Sequence, residues 1–171
     1  LKVSVLVCVL LLLVSVVSQA GTKAPFMPEQ DAWWVSRGQD QCGHSGTIKY
    51  GWDLNWGDGY DDLGKPVIAA SDGTVVFAGP NDDWGNTVVV SCTEGGYDRT
   101  AHHDQIFVAM GESVLQGQVI GTCVSTGEST GPHVHFQHQD HPTGSSVYWT
   151  FDDIGNPRNN TSGCEGQGDD V

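Results

Sequence analysis

Short apolar segments, separated by glycine, asparagine, aspartate and proline, make up most of the chain after residue 20. These segments are rich in β-branched residues and lack the periodicity of an amphipathic helix. Turn-forming residues recur about every eight to twelve positions, which is the spacing of an all-β domain with antiparallel strands. The clearest strands are expected at residues 52–56, 67–70, 74–78, 87–91, 100–102 and 133–136.

Glycine-containing turns are expected to join several of these strands. Residues 71–73 and 94–96 are typical of tight hairpin connections, and residues 79–83 are typical of a longer loop. The sequence therefore predicts one β core domain at 42–140, preceded by an arm at 21–41 and followed by a polar tail at 141–171.

Residues 1–20 have the pattern of a secretory signal peptide. Lys2 precedes a nearly continuous apolar run over residues 3–17, and Ser18-Gln19-Ala20 gives the small-x-small pattern that signal peptidase accepts. A membrane anchor is the alternative, but a span needs about 20 apolar residues and this run is shorter. The pattern predicts cleavage after Ala20 and a secreted, extracellular protein with no membrane partner after cleavage.

Four cysteines lie after the predicted signal peptide: Cys42, Cys92, Cys123 and Cys164. An even number in an oxidising compartment predicts two disulfides. Because no Cys-x-x-Cys pair occurs, a cysteine metal cluster or a redox site is less favoured. The sequence allows three pairings, and we expect Cys92 with Cys123, in adjacent core strands, and Cys42 with Cys164, which would tie both ends to the core.

The formal net charge of the chain is −14 at pH 7. A protein this acidic repels a phosphate backbone, which excludes a nucleic-acid partner. The charge also disfavours simple electrostatic capture of an anionic cell wall, so recognition of such a wall would depend on shape and stacking.

Two histidines alternate with apolar residues in the segment 133–136. Alternate side chains of a strand share a face, so His133 and His135 project together, whereas Val134 and Phe136 face a core. Paired imidazoles can place one nitrogen on a metal and another near the reacting group. A chance pair of surface histidines is the alternative.

A carboxylate occupies a similar position in the segment 52–56. By alternation Asp53 points away from the face that carries Leu54 and the flanking tryptophans. It is therefore a candidate metal ligand on a cavity face. A solvated strand aspartate is the alternative.

The runs GWDLNW, GKPVIAASDGTVVFAG, WGNTVVV, TAHH, GESVLQGQVIGTC and STGESTGPHVHF follow one another between residues 43 and 137. In order and spacing they resemble the catalytic domain of the lysostaphin-type and β-lytic metallopeptidases. STGPHVHF and GQVIG are specific in combination. The resemblance implies an antiparallel β core, similar to a duplicated hybrid motif, with a narrow groove that holds one zinc ion.

Carried onto this sequence, the resemblance implies that Asp53 and His135 bind zinc. It makes His102 and His133 the catalytic pair, one as general base and the other as hydrogen-bond donor to the oxyanion. The commonest family pattern has a histidine shortly before the aspartate, at the position of Lys49. Branches like the β-lytic enzymes use a longer spacing, which implies His44 as the third ligand. The alternative is that His44 is a loop histidine.

The resulting interpretation is a secreted monomeric zinc metalloendopeptidase that cuts peptide bonds in the stem peptides or cross-bridges of bacterial peptidoglycan. A non-catalytic zinc-binding signalling or wall-binding protein, resembling the leukocyte-derived chemotaxins, is the alternative. The presence of both His102 and His133 favours the enzyme. Trp52 and Trp84 could line the groove, and a position in the core or in a loop is the alternative for each. The other histidines, His103, His138 and His141, are expected at the surface or behind the ligands.

Overall fold

The computed structural model describes residues 21–26, 33–40 and 43–152, so the predicted signal peptide lies outside the described residues. The all-β prediction is confirmed, because the described ranges contain nine strands and a single short 3-10 turn, Gly46–Ile48. No helix in these ranges is long and apolar enough to cross a membrane. The strands are β1 Trp33–Arg37, β2 Trp52–Trp56, β3 Pro66–Ile68, β4 Gly73–Asn81, β5 Gly85–Cys92, β6 Tyr97–Ile106, β7 Ser113–Val114, β8 Val119–Cys123 and β9 Val134–Gln139.

All strand pairs are antiparallel, and the main sheet has the order β1-β2-β9-β6-β5-β4-β7. Strand β8 joins it through β6 and carries β3 on its other side. Strand β9 is central: His135 faces Asp53 of β2 on one side and Ala101 of β6 on the other. The register therefore places the predicted carboxylate and histidine ligands side by side.

The core lies on the face of β2 and β9 that carries their apolar residues. Trp52 and Phe136 are fully buried, and the ring of Phe151 packs between them, with centroids 4.8 and 5.0 Å away. Each such side chain contributes about 1.5–3 kcal/mol through burial. Ala24 is also buried in this core. Residues on both sides of the 42–140 segment thus help to build it.

The structure confirms some of the strands and turns expected from the sequence and contradicts others. Strand β2 has the bounds expected for it, and residues 94–96 join β5 to β6 as a hairpin. Residues 71–73 do not form a hairpin, because β3 pairs with β8 while β4 pairs with β5 and β7. Much of the expected 79–83 loop is strand, since β4 continues to Asn81 opposite Gly85.

The predicted disulfide between Cys92 and Cys123 is wrong: both are buried free thiols. Cys92 ends β5 beside the start of β6, where Ser91 pairs with Tyr97, whereas Cys123 pairs with His103 further along β6. These two positions on β6 are about 20 Å apart at roughly 3.3 Å per residue. A disulfide needs Cα atoms within about 7 Å. Cys42 and Cys164 lie outside the described residues, so their pairing stays a prediction.

Candidate active site

Three predicted ligands converge beside the middle of the β2–β9 ladder. Asp53 and His135 are register partners, and His44 approaches from the segment before the 3-10 turn. All three side chains are buried, and one donor atom from each lies within 4.8 Å of the others. The structure therefore brings together the two strand residues and the loop histidine that the sequence singled out.

The protonation of the two histidines is set by their outer partners. His44 donates its Nδ1–H to the carbonyl of Gly38 at 3.0 Å, and His135 donates its Nε2–H to Oε1 of Gln137 at 3.1 Å. In the neutral ring the other nitrogen then carries a lone pair. These nitrogens, His44 Nε2 and His135 Nδ1, lie 3.2 and 2.7 Å from Oδ1 of Asp53. Three electron-rich atoms facing one another are a donor set that fits a divalent cation such as zinc.

The electrostatics of the three groups agree with this fit. Burial opposes ionisation of Asp53, but the electrostatic influence of the neighbouring histidines, first His133 and then His135 and His44, outweighs it and holds the pKa of Asp53 well below its usual range. Burial lowers the pKa of His135 despite the opposing carboxylate. Burial also opposes protonation of His44, yet Asp53 raises its pKa. An ionised Asp53 thus attracts positive charge to this point, and a metal supplies more of it than a proton.

Two residues that the sequence reasoning did not identify support the ligands. Gln137 follows His135 on the same face of β9 and accepts from its ring. Arg37 of β1 pairs with Asp53 in the sheet, and its Nη1 lies 3.6 Å from Oδ2. Gln137 could have been found from the alternation of β9, which places it beside His135. Nothing in the local sequence around Arg37 points to the site.

The predicted catalytic pair lies beside the ligands, with the ring centroids of His102 and His133 4.7 Å apart. His102 donates its Nδ1–H to the carbonyl of Thr126 at 2.7 Å, and His133 donates its Nδ1–H to Gly131 at 2.9 Å. Each neutral ring therefore has a lone pair on Nε2. His133 Nε2 lies 3.7 Å from Oδ1 of Asp53.

His102 has an unusual backbone and a depressed basicity. Its φ of +65° is in the left-handed region, which non-glycine residues seldom adopt. Burial, followed by repulsion from His133 and His135, lowers the pKa of His102 to about 3. His102 is consequently a neutral hydrogen-bond acceptor at neutral pH.

An open cleft of about 290 Å³ contains the predicted ligand atoms and the predicted catalytic pair. Trp84 lines it, with its ring centroid 4.9 Å from that of His135. Trp52 belongs to the core instead. His103 and His138 are buried, so of the two expected positions the surface one is wrong for both, whereas His141 is exposed.

Comparison with known proteins identifies relatives for the greater part of the chain. The model of Peptidase family M23 matches residues 48–148. The peptidoglycan DD-endopeptidase ShyC of Vibrio cholerae is 39% identical over 75 residues, which are 44% of this chain and 17% of ShyC. The chain spans about a fifth of the length of the curated relatives it matches.

Solved structures of peptidases are also similar to this chain. The catalytic domain of lysostaphin from Staphylococcus simulans superimposes with a TM-score of 0.52 at 33% identity, covering 62% of this chain and 77% of that domain. A zinc-containing peptidase from Vibrio cholerae superimposes with a TM-score of 0.58 at 25% identity, covering 77% of this chain and 41% of the peptidase.

Proposed function

Since the chain belongs to Peptidase family M23, we propose that it is a secreted zinc metalloendopeptidase that hydrolyses peptide bonds in the stem peptides or cross-bridges of bacterial peptidoglycan. The observation that carries the proposal is one cleft in which His44, Asp53 and His135 converge beside His102 and His133. The peptidoglycan substrate is supported by ShyC, whose name states that activity. Export is supported by the signal pattern at residues 1–20.

The metal would be held by His44, Asp53 and His135. Two histidines and one carboxylate are a donor set of catalytic zinc sites, which leave a coordination position open. Bound there, zinc would supply Lewis acidity that polarises the scissile carbonyl and lowers the pKa of water. Arg37 and Gln137 keep the donor atoms in place from outside.

His133 is positioned to act as the general base. Its Nε2 carries the lone pair and lies 3.7 Å from the ligand oxygen of Asp53, so an attacking water in the cleft can pass its proton to it. The carboxylate then stabilises the imidazolium. The same Nε2–H can next be donated to the amine that leaves.

His102 complements this transfer by remaining neutral. Because its pKa is lowered to about 3 and its Nδ1–H is engaged by Thr126, it does not repel the imidazolium that forms on His133. Its free Nε2 accepts a hydrogen bond from a group in the cleft and orients it. This assignment makes His102 an acceptor instead of a donor to the oxyanion.

Peptidoglycan hydrolysis by the purified full chain tests the proposal. Activity on several bacterial walls should disappear with a chelator and return with added zinc. Asp53→Ala should lose both zinc and activity. His133→Ala and His102→Ala should keep zinc while hydrolysis falls by roughly 100-fold or more, the usual scale for a general base or a hydrogen-bonding group in the active site.

His141→Ala is the matched control, because this exposed histidine does not line the cleft and its ring hydrogen-bonds Thr143, so the variant should leave hydrolysis unchanged. If His133→Ala and His102→Ala both retained full hydrolysis, these histidines would have no catalytic role. If the parent chain bound zinc and hydrolysed no wall, the non-catalytic zinc-binding interpretation would replace the enzyme.

A further inference from the structure

A second cluster of metal-binding side chains lies on the opposite face of the sheet from the cleft. Asp98 of β6 is the register partner of both Val90 of β5 and His138 of β9. Paired residues lie on the same face of a sheet, and so do residues two positions apart in a strand. Because Cys92 lies two residues after Val90, Cys92, Asp98 and His138 share a face. His138 is on the face of Phe136, whereas His135 is on the other.

The three side chains are buried and close together. Cys92 is 8% exposed, and Asp98 and His138 are each 3% exposed. One donor atom from each lies within 4.8 Å of the others. His138 Nδ1 is 2.7 Å from Oδ1 of Asp98, and the Ser71 hydroxyl donates to Oδ2 at 2.7 Å. Neighbouring strands thus supply one sulfur, one oxygen and one nitrogen to a single point.

The surroundings hold these groups in fixed orientations. The ring of His138 stacks on Trp149 with a centroid separation of 3.8 Å and an interplanar angle of 19°. On its other side, a Cβ at Gly96 would lie 2.2 Å from Nε2 of His138, so the chain passes too close for any larger residue. The Ser71 hydroxyl is in turn hydrogen-bonded to the Thr22 hydroxyl. Outer partners of this kind orient metal ligands.

Charge balance favours a divalent cation at this point. A carboxylate buried beside an imidazole and a thiol is costly unless a positive charge lies next to it. Zinc would displace the proton of Cys92 and leave one thiolate and one carboxylate around a dication, a neutral assembly. Burial, with help from Asp98, raises the pKa of the Cys92 thiol, so only a strongly bound cation would remove its proton.

We propose that Cys92, Asp98 and His138 form a second, structural zinc site that links β5, β6 and β9 behind the cleft. Thiolate, carboxylate and imidazole are all zinc ligands. The proton released from Cys92 passes to solvent, and no redox change is involved. The site does not depend on the proposed hydrolytic function, because it shares no ligand with the cleft.

Cobalt substitution of the full chain tests the second site. The cleft ligands contain no sulfur, so a thiolate-to-cobalt charge-transfer band in the near ultraviolet can arise only from a cysteine ligand. We expect this band together with about two metal ions per chain. Cys92→Ser should abolish the band and remove about one metal ion, and His138→Gln should weaken metal binding while leaving the fold, followed by circular dichroism, intact.

Two controls separate this site from other metal binding. Cys123→Ser removes the other described free thiol and should keep the band. His44→Ala should lose the cleft metal and keep the band, which distinguishes failure of the catalytic proposal from failure of this one. The proposal is overturned if the parent chain shows no sulfur band, if the band survives Cys92→Ser, or if peptide mapping finds Cys92 in a disulfide. The cluster is then a metal-free hydrogen-bond network centred on Asp98.

Discussion

Gly51 lies against the ring of His135, and adding a methyl group there should move this proposed metal ligand without altering its chemistry. An ideal Cβ at Gly51 would be 2.7 Å from Cε1 and 2.9 Å from Nε2 of His135, and 3.2 Å from the carbonyl of Ile48. Ordinary contacts of a Cβ begin at 3.4 Å. Gly51→Ala therefore requires the ring to shift by about 0.7 Å.

Three neighbours oppose a shift of the His135 ring. Its Nδ1 lies 2.7 Å from Asp53 and its Nε2 lies 3.1 Å from Gln137, while Trp84 packs beside it. Displacement breaks the alignment of Nδ1 with the other ligands. Loss of a positioning contact typically lowers metal affinity by about 10–100-fold. A misplacement approaching 1 Å at the reacting groups can cost about 100-fold in rate.

Metal affinity, measured by competition with a chelator, and peptidoglycan hydrolysis should both fall in Gly51→Ala by these factors. The matched control is Gly131→Ala, which adds the same methyl group next to His133 but meets nothing within 4 Å and keeps the carbonyl that His133 uses. This control should behave like the parent chain. If Gly51→Ala had parent affinity and parent rate while folding normally, packing would not be what fixes His135.

Three further outcomes follow from the structure. Burial raises the pKa of Asp62 to about 6; the folded state then binds more protons than the unfolded state between about pH 4 and pH 6, so stability falls as pH rises through that window. Asp62→Asn should raise the free energy of unfolding by up to about 3 kcal/mol at pH 8 and by almost nothing at pH 4. If the variant and the parent had equal urea midpoints at pH 8 as well as at pH 4, this expectation would be contradicted. Gln137→Leu should weaken metal binding about 10–100-fold whereas Gln137→Glu, which keeps an acceptor for His135, should not; equal affinities would show that Gln137 does not orient the ring. Phe151→Ala should lower the free energy of unfolding by about 3–5 kcal/mol because its ring packs on Trp52, and an unchanged thermal midpoint would exclude Phe151 from the folded unit.

The sequence alone determined the faces on which the site's strand residues lie. Alternation is fixed by the geometry of an extended chain, so His133 and His135 could be placed on one face and Val134 and Phe136 on the other. The same reasoning placed the Asp53 side chain on the face opposite Leu54 and predicted the bounds of β2. The glycines in residues 94–96 predicted the β5–β6 hairpin, because the backbone conformation of a tight turn depends on the residues within the turn itself.

Only the tertiary structure decided which strands meet. Pairing partners depend on contacts between distant segments, so the sequence did not reveal that β3 pairs with β8, nor that Cys92 of β5 and Cys123 of β8 lie beside distant positions of β6. Arg37 reaches Asp53 for the same reason, through the β1–β2 ladder.

His102 shows the limit of pattern reasoning most clearly. Ala101 pairs with His135, so regular alternation would turn His102 to the opposite face of the sheet. Its positive φ interrupts the alternation, and its ring lies 6.3 Å from that of His135. Such a conformation is held by contacts on either side, where His102 N–H donates to Trp84 and its carbonyl accepts from Val124. Local sequence thus specifies which side chains alternate, while long-range packing decides where the alternation breaks and which groups come to share the cleft.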